Sequence, residues 1–173
     1  MHKAGFIAIV GKPNAGKSTL LNTLLGQDLS IVTHKAQTTR HRIRGVVTQS
    51  DYQLVFSDTP GIITPGYQLH QRMMTFVQGA FADADVVLLV YDATGNDMDA
   101  EKFKTLLPTG KKLVVALNKI DLSNQEELEK IVQKIEQQLS PAAIVPISAK
   151  EKFGGEVLIK TLLQFIPEAP PYF

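Results

Sequence analysis

Short apolar runs alternate along this chain with segments whose apolar residues recur at helical spacing. The runs Phe6–Val10, Val86–Tyr91 and Leu113–Leu117 are continuous, as is typical of strands buried on both faces of a parallel sheet. Ala143–Pro146 is a weaker fourth candidate of the same kind. The pattern therefore predicts a central, mainly parallel sheet.

Two further runs indicate a hairpin. Ile43–Gln49 and Tyr52–Ser57 flank Ser50 and Asp51, which together have the length of a two-residue turn. We expect these runs to form an antiparallel pair at the edge of the sheet.

Three segments follow helical periodicity, and we interpret their apolar faces as core. The first ends at Gly26, a residue typical of helix C-termini, and Ser123 with Glu126 predicts a capping box before the second. The expected core positions are Leu20, Leu21, Leu24 and Leu25; Leu128, Ile131, Val132, Ile135 and Leu139; and Val157, Leu158, Thr161, Leu162, Phe165 and Ile166.

This alternation of strands and helices predicts a three-layer α/β domain with a mainly parallel sheet and one antiparallel edge strand. Such sheets bind ligands at the carboxyl ends of their strands. The polar motifs of this chain all follow predicted strands, so we expect them to meet at one edge.

Composition narrows the class of protein further. The 173 residues suffice for one domain, and 44% hydrophobic with 20% charged residues is typical of globular proteins. The absence of cysteine excludes disulfide scaffolds, thiolate metal sites and cysteine nucleophiles. The start lacks a signal-like segment and no apolar run approaches the roughly 20 residues of a membrane span, so we expect a cytoplasmic protein.

The net charge of +1 hides an uneven distribution. Residues 29–50 contain four Lys and Arg residues and no acid, whereas residues 73–101 contain six acids and no Lys or Arg. The basic segment can face RNA or another domain, or it can be a solvated edge strand.

The segment from Gly11 to Ser18 matches the phosphate-binding pattern G-x-x-x-x-G-K-[ST] and lies between a predicted strand and a predicted helix. Its glycines let successive backbone N–H groups point at phosphate oxygens, and the helix adds its positive end. Lys17 is expected to reach the β- and γ-phosphates and Ser18 to bind Mg²⁺. The expected nucleotide contacts here are Gly11, Pro13, Asn14, Ala15, Gly16, Lys17, Ser18 and Thr19.

A second phosphate motif, Asp-Thr-Pro-Gly, begins at Asp58 directly after the run Tyr52–Ser57. We expect Asp58 to contact Mg²⁺, directly or through water. Gly61 can bring its N–H against a γ-phosphate.

Asn118, Lys119 and Asp121 form an Asn-Lys-x-Asp motif after the run Leu113–Leu117. The Asp121 carboxylate can accept hydrogen bonds from N1–H and the 2-amino group of guanine, whereas adenine would leave it unpaired. Asn118 can bond the base edge or brace the phosphate loop, and the Lys119 stem can lie along the base.

Ser148, Ala149 and Lys150 follow the last candidate strand, and the N–H of Ala149 can approach the guanine oxygen. An ordinary strand-to-helix turn is the alternative for this weak motif.

The order of these motifs, together with the Thr-Thr-Arg-His-Arg-Ile segment from Thr38 to Ile43, resembles the Era family of translation-factor-related bacterial GTPases over nearly the whole chain. The resemblance implies a P-loop GTPase fold. It also implies that Thr39, with Thr38 as the alternative, binds Mg²⁺ beside Ser18 and Asp58 and senses the γ-phosphate. We expect a GTP-hydrolysing switch whose catalytic residues are Lys17, Thr39, Gly61 and Asn14.

The resemblance also implies partners. Era proteins carry a C-terminal KH domain that binds small-subunit ribosomal RNA, and this chain has no KH-type Gly-x-x-Gly loop. We therefore expect residues 1–166 to be an isolated GTPase domain and residues 167–173 to begin a linker to a missing KH domain. The implied roles are small-subunit assembly on the 30S particle, a monomeric state and weak peripheral association with the inner membrane.

Two residues modify the expected catalysis. Ile62 stands where many GTPases place a water-orienting Gln, so slow intrinsic hydrolysis is expected. Asn14 corresponds to an asparagine that ligates K⁺ in related GTPases, which suggests K⁺-stimulated turnover.

Alternatives remain at this point. The chain could be an ATP-using kinase or ATPase, which Asp121 argues against, or a module that binds nucleotide with negligible turnover, which Ile62 favours. It could also be a related GTPase of the same class that acts in tRNA modification or ribosome assembly.

Overall fold

The structure, a computed structural model, describes residues 1–12, 15–26, 42–58, 78–95 and 100–173. Every run that the apolar pattern predicted as a strand forms one, and the differences lie only at the strand ends. The strands are β1 Lys3–Gly11, β2 Arg42–Thr48, β3 Tyr52–Asp58, β4 Val86–Asp92, β5 Lys112–Asn118 and β6 Ala143–Pro146.

The helices are α1 Lys17–Leu25, α2 Ala100–Leu106, α3 Gln125–Leu139 and α4 Gly155–Leu163. α1, α3 and α4 follow the predicted apolar faces, whereas α2 was not predicted. Residues 78–83 are also helical, and Ile120–Leu122 forms a single 3₁₀ turn. Within the described residues, no helix is both long and apolar enough to cross a membrane.

The sheet order is β2-β3-β1-β4-β5-β6. β2 and β3 pair antiparallel across the predicted two-residue turn, where the N–H of Gln49 donates to the carbonyl of Tyr52 at 2.8 Å. The other neighbouring strands pair in parallel. The predicted α/β fold with an antiparallel edge strand is confirmed.

Successive side chains of the inner strands enter two separate cores, which makes the three layers. In β1, Ile7 and Ile9 pack toward α1 and α4, whereas Ala8 and Val10 pack toward α2 and α3. Both faces exclude water because both are covered by helices, which explains why the inner strands are apolar at every position between their ends. The sheet is therefore a rigid platform whose strand ends can carry a site.

Two details of the predicted helices are wrong. The N-cap of α3 is Asn124, not Ser123, because the Asn124 side chain accepts the backbone N–H of Glu127 at 2.9 Å. Ser123 instead ends the preceding 3₁₀ turn, which shifts the cap by one residue. Val157 is 57% exposed, so the buried core positions of α4 are Leu158 and Leu162, with Ile159 and Leu163 packed partly against the same core.

Residues 167–173, expected as an extended linker, lie against the amino ends of β1 and β3. The buried Gln53 holds this tail, since its Oε1 accepts the backbone N–H groups of Tyr172 at 2.7 Å and Phe173 at 3.1 Å. The ring of Tyr172 packs 4.9 Å from that of Phe6, centroid to centroid. This end of the sheet is opposite the end where the predicted motifs lie.

Candidate nucleotide-binding site

The phosphate loop connects the end of β1 to the start of α1, as its motif predicted. Gly16 is the N-cap of α1 and has φ of 104°, a left-handed conformation that L side chains rarely adopt. A Cβ at this position would lie 2.1 Å from Nδ2 of Asn118. Glycine is therefore required here both by the backbone conformation and by the close approach of Asn118, the first residue of the Asn-Lys-x-Asp motif.

The first turn of α1 carries Lys17, Ser18 and Thr19 at the helix N-terminus. Backbone N–H groups of this turn have no partner within the helix and carry partial positive charge, which suits phosphate oxygens. Ser18 and Thr19 are exposed, so the Ser18 hydroxyl is accessible to a cation. A cavity of about 520 Å³ opens beside this turn and lies within the usual range of ligand pockets.

Asn118, at the end of β5, joins the phosphate half of the cavity to the base half. Its Nδ2 donates to the carbonyl of Ala15 at 2.9 Å, and its Oδ1 accepts the backbone N–H of Ala149 at 3.0 Å. Of the two roles that the sequence left open for Asn118, the structure has it bracing the phosphate loop. The N–H of Ala149 is thereby used, so its predicted contact with guanine would have to share or replace this bond.

Asp121 lies in the 3₁₀ turn after β5 with an exposed side chain that lines the cavity. Its Oδ1 accepts the hydroxyl of Ser148 at 2.7 Å, which orients the carboxylate. Lys150 is exposed and also lines the cavity. The Asn-Lys-x-Asp and Ser-Ala-Lys segments, predicted separately, thus form one wall. α1 contacts the same wall because the Thr23 hydroxyl donates to the Ala149 carbonyl at 3.1 Å.

Lys119 forms a salt bridge that the sequence reasoning missed. Its Nζ lies 2.9 Å from Oδ2 of Asp92, the last residue of β4. Burial alone raises the pKa of Asp92, but hydrogen bonds from Thr94 and Lys119 outweigh this effect, so the pKa lies below its ordinary value. The sequence signal that could have revealed this salt bridge is an acid at the carboxyl end of β4, the strand that pairs with β5.

Two further lining residues were also missed. Lys12 lies at the mouth of the phosphate loop, and Leu122 is 66% exposed beside Asp121. Leu122 offers an apolar surface to a flat ring, and its position directly after the predicted Asn-Lys-x-Asp motif was the signal that could have identified it.

Several predicted residues lie outside the described part of the chain. These are Pro13, Asn14, Thr38, Thr39, Gly61 and Ile62. Of Asp58 only the backbone is described, at the end of β3 and in register with Ile9 of β1. Gly11 lies in register with Val90 of β4, and a Cβ there would meet the Val90 carbonyl at 2.8 Å. The carboxyl ends of β3, β1, β4 and β5 therefore meet at one edge, as predicted.

A six-stranded α/β sheet with a glycine loop before α1 and an Asn-Lys-x-Asp wall after β5 defines the class of P-loop GTPases. The family described as "50S ribosome-binding GTPase" matches residues 6–119, and the chain belongs to this family.

Within that class the whole-chain relatives are GTPase Era proteins, so the predicted resemblance is confirmed. The chain is 44% identical to GTPase Era of Bordetella avium over 99% of its own length and 37% identical to GTPase Era of Clostridium novyi over all of it. It spans 58% and 60% of the length of these two relatives.

Solved structures of Era proteins are also similar to this chain. An Era crystallised with MgGDPNP and nucleotides 1506–1542 of 16S ribosomal RNA has a TM-score of 0.79 and 38% identity. The match covers 100% of this chain and 60% of the Era chain in that structure. An Era variant from Aquifex aeolicus bound to GDP and aluminium fluoride has a TM-score of 0.77, with 38% identity over 99% of this chain and 60% of that one.

Proposed function

We propose that this chain binds GTP and hydrolyses it to GDP and phosphate as a molecular switch. The observation that carries the proposal is Asn118, whose two hydrogen bonds to Ala15 and Ala149 join a phosphate loop and a base wall around one cavity. Asp121 supplies the guanine selectivity, because its carboxylate would pair with two donors that adenine lacks.

Different residues have different roles in the proposed hydrolysis of GTP. Lys17 and the first-turn N–H groups of α1 hold the β- and γ-phosphates, and water attacks the γ-phosphorus in line while the bond to the bridging oxygen breaks. Mg²⁺, which the related Era structure contains with GDPNP, supplies positive charge to the phosphate oxygens. Its ligands would be Ser18, Asp58 and Thr39. The Ser18 hydroxyl, exposed beside the phosphate cradle, fits this role.

Loss of the γ-phosphate removes the contacts to Thr39 and Gly61, which would relax both segments. The surface that the protein presents then depends on the bound nucleotide. Ile62 cannot hydrogen-bond to water, so the intrinsic rate is expected to be low.

The proposal extends to K⁺ as an activator through Asn14. A monovalent cation at this position supplies charge where another GTPase uses an arginine. Turnover should be faster in KCl than in NaCl at equal ionic strength, and an Asn14→Ala variant should lose the difference. Equal rates in the two salts would remove K⁺ from the mechanism and leave the GTPase proposal intact.

The cellular role proposed is small-subunit ribosome assembly in the cytoplasm. It is supported by the whole-chain similarity to GTPase Era proteins and by the 16S ribosomal RNA bound in one related structure. We propose that RNA contacts are made through a KH domain, as the resemblance to Era proteins implies. We propose that the GTPase domain itself is monomeric, which its elution volume in size-exclusion chromatography tests.

The decisive experiment compares GDP with ADP by isothermal titration calorimetry, using the protein and its Asp121→Ala variant. We expect GDP to bind the protein and ADP not to bind measurably. Two hydrogen bonds to a charged acceptor are lost in the variant, so its affinity for GDP should fall roughly 100-fold or more. Unchanged nucleotide preference in Asp121→Ala would support an ATP-using enzyme instead.

A second candidate function, favoured by Ile62, is a module that holds nucleotide without turnover. Phosphate release measured with protein in excess over GTP separates the two. A single burst of phosphate over minutes to hours supports the hydrolase, and none above the protein-free rate supports the module.

A further inference from the structure

Asp92 is held rigidly at the end of β4, next to the base motif. It pairs in register with Asn118 of β5, and the N–H of Ala93 donates to the Asn118 carbonyl at 2.9 Å. Its Oδ1 accepts both the backbone N–H of Thr94 at 2.8 Å and the Thr94 hydroxyl at 2.6 Å. Thr94 thus fixes the carboxylate orientation, which leaves Oδ2 directed at Lys119.

Lys119 is constrained from the other side by its backbone. Its φ of 67° places it in the left-handed region, which is uncommon for a residue other than glycine and reverses the chain directly after β5. The Lys119 side chain lines the cavity and is 30% exposed in the pair with Asp92. The stem is therefore stretched between its backbone turn and Asp92.

Asp121 lies two residues further on and lines the same cavity. Ser148 bonds to Oδ1 of Asp121, while among the described residues no hydrogen bond occupies Oδ2. A lysine ammonium released beside this carboxylate would be attracted to it and would compete with the guanine donors.

We propose that Asp92 is a positioning residue for guanine-nucleotide binding, which holds the Lys119 stem as a wall of the base pocket and keeps its ammonium away from Asp121. This inference rests on the proposed function, because it concerns the same site. Asp92 touches no nucleotide in this assignment and acts only through Lys119.

The test measures dissociation of fluorescently labelled GDP from the protein and from Asp92→Asn, each also made in a Lys119→Met background. The charge-assisted bond contributes to retention, so we expect Asp92→Asn to release GDP about 10-fold faster. In the Lys119→Met background the same substitution should change the rate less than 2-fold, because the ammonium that it positions is gone. Glu136→Gln, an equal charge change on the exposed surface of α3, is the matched control and should leave the rate unchanged.

A purely structural role in the turn at Thr94 gives a different result. In that case Asp92→Asn would accelerate release equally with Lys119 or Met at position 119. Either this outcome or an unchanged rate in Asp92→Asn overturns the inference. Asp92→Glu, which keeps the charge, should retain GDP better than Asp92→Asn.

Failure of the proposed function can be distinguished from failure of the role of Asp92. If the unaltered protein shows no saturable GDP binding, the proposed function itself is wrong. If it binds GDP and Asp92→Asn releases it at the same rate, only the role of Asp92 is wrong. Thermal unfolding without nucleotide checks that the variants are folded before the rates are compared.

Discussion

At the scale of single residues, the site depends on a glycine at which both the backbone conformation and the surroundings exclude a side chain. Gly16 combines a left-handed backbone with a direct approach of the Asn118 amide. Gly26, at the other end of α1, also has a positive φ of 71°, but nothing lies within 4 Å of the place a Cβ would take. A side chain at Gly16 would therefore meet both an unfavourable backbone conformation and a steric clash, whereas a side chain at Gly26 would meet only the unfavourable backbone conformation.

We predict that Gly26→Ala lowers the free energy of unfolding by about 1–3 kcal/mol, because its φ of 71° and ψ of −168° lie in a region that is essentially restricted to glycine. Gly16→Ala should cost about 2–4 kcal/mol, because it adds the loss of the Asn118 bond to Ala15, and should abolish GDP binding. Urea unfolding and calorimetric titration measure both effects. Unchanged GDP affinity in Gly16→Ala would show that the contact with Asn118 does not matter.

At the scale of elements, the start of α3 is fixed by a single side-chain hydrogen bond, from the N–H of Glu127 to Asn124. The sequence pattern at Ser123 and Glu126 predicted a capping box, but the 3₁₀ turn Ile120–Leu122 uses Ser123 as its end. The helix α3 consequently begins one residue later, with Asn124 as its cap. The base motif and the helix start compete for the same few residues, and the motif geometry decides the register.

We predict that Asn124→Ala lowers the free energy of unfolding by about 1 kcal/mol, since the N–H of Glu127 loses its acceptor. Ser123→Ala, the matched neighbour, should change it by less than about 0.5 kcal/mol. Chemical denaturation of the two variants checks the assignment. A larger loss for Ser123→Ala would support the capping box that the sequence suggested.

At the scale of the whole molecule, β3 runs between the two ends of the sheet, which have different roles. Its carboxyl end at Asp58 lies among the strand ends that form the candidate site, and its amino end holds the chain terminus through Gln53. Gln53 also donates from Nε2 to the hydroxyl of Thr48 at 3.1 Å and to the carbonyl of Phe173 at 3.3 Å. A buried amide with both its groups paired is costly to disrupt, so the tail is part of the folded unit.

We predict that Gln53→Leu accelerates hydrogen exchange at the backbone amides of Tyr172 and Phe173 by roughly 10-fold or more, because these amides lose their acceptor. The stability of the sheet should fall by only about 1–3 kcal/mol. Gln49→Leu, an exposed position in the same hairpin, is the control and should leave the tail protected. Equal exchange in all three proteins would show that Gln53 does not hold the tail.

Much of this architecture follows from the sequence because its determinants are local. Continuous apolar runs predict doubly buried strands, the hairpin follows from two polar residues between β2 and β3, and the phosphate and base motifs have short fixed spacings. Even the convergence of the motifs at one edge follows, since parallel strands align their carboxyl ends.

The remaining features could not be read from the sequence because they join distant residues. Asn118 and Ala15 are 103 positions apart, Gln53 and Tyr172 are 119 apart, and Asp92 and Lys119 are 27 apart. The exposure of Val157 likewise depends on which flank of α4 meets the sheet. Local patterning thus determined the elements and their chemistry, whereas only tertiary packing decided which polar groups meet, because hydrogen bonds act over about 3 Å regardless of separation along the chain.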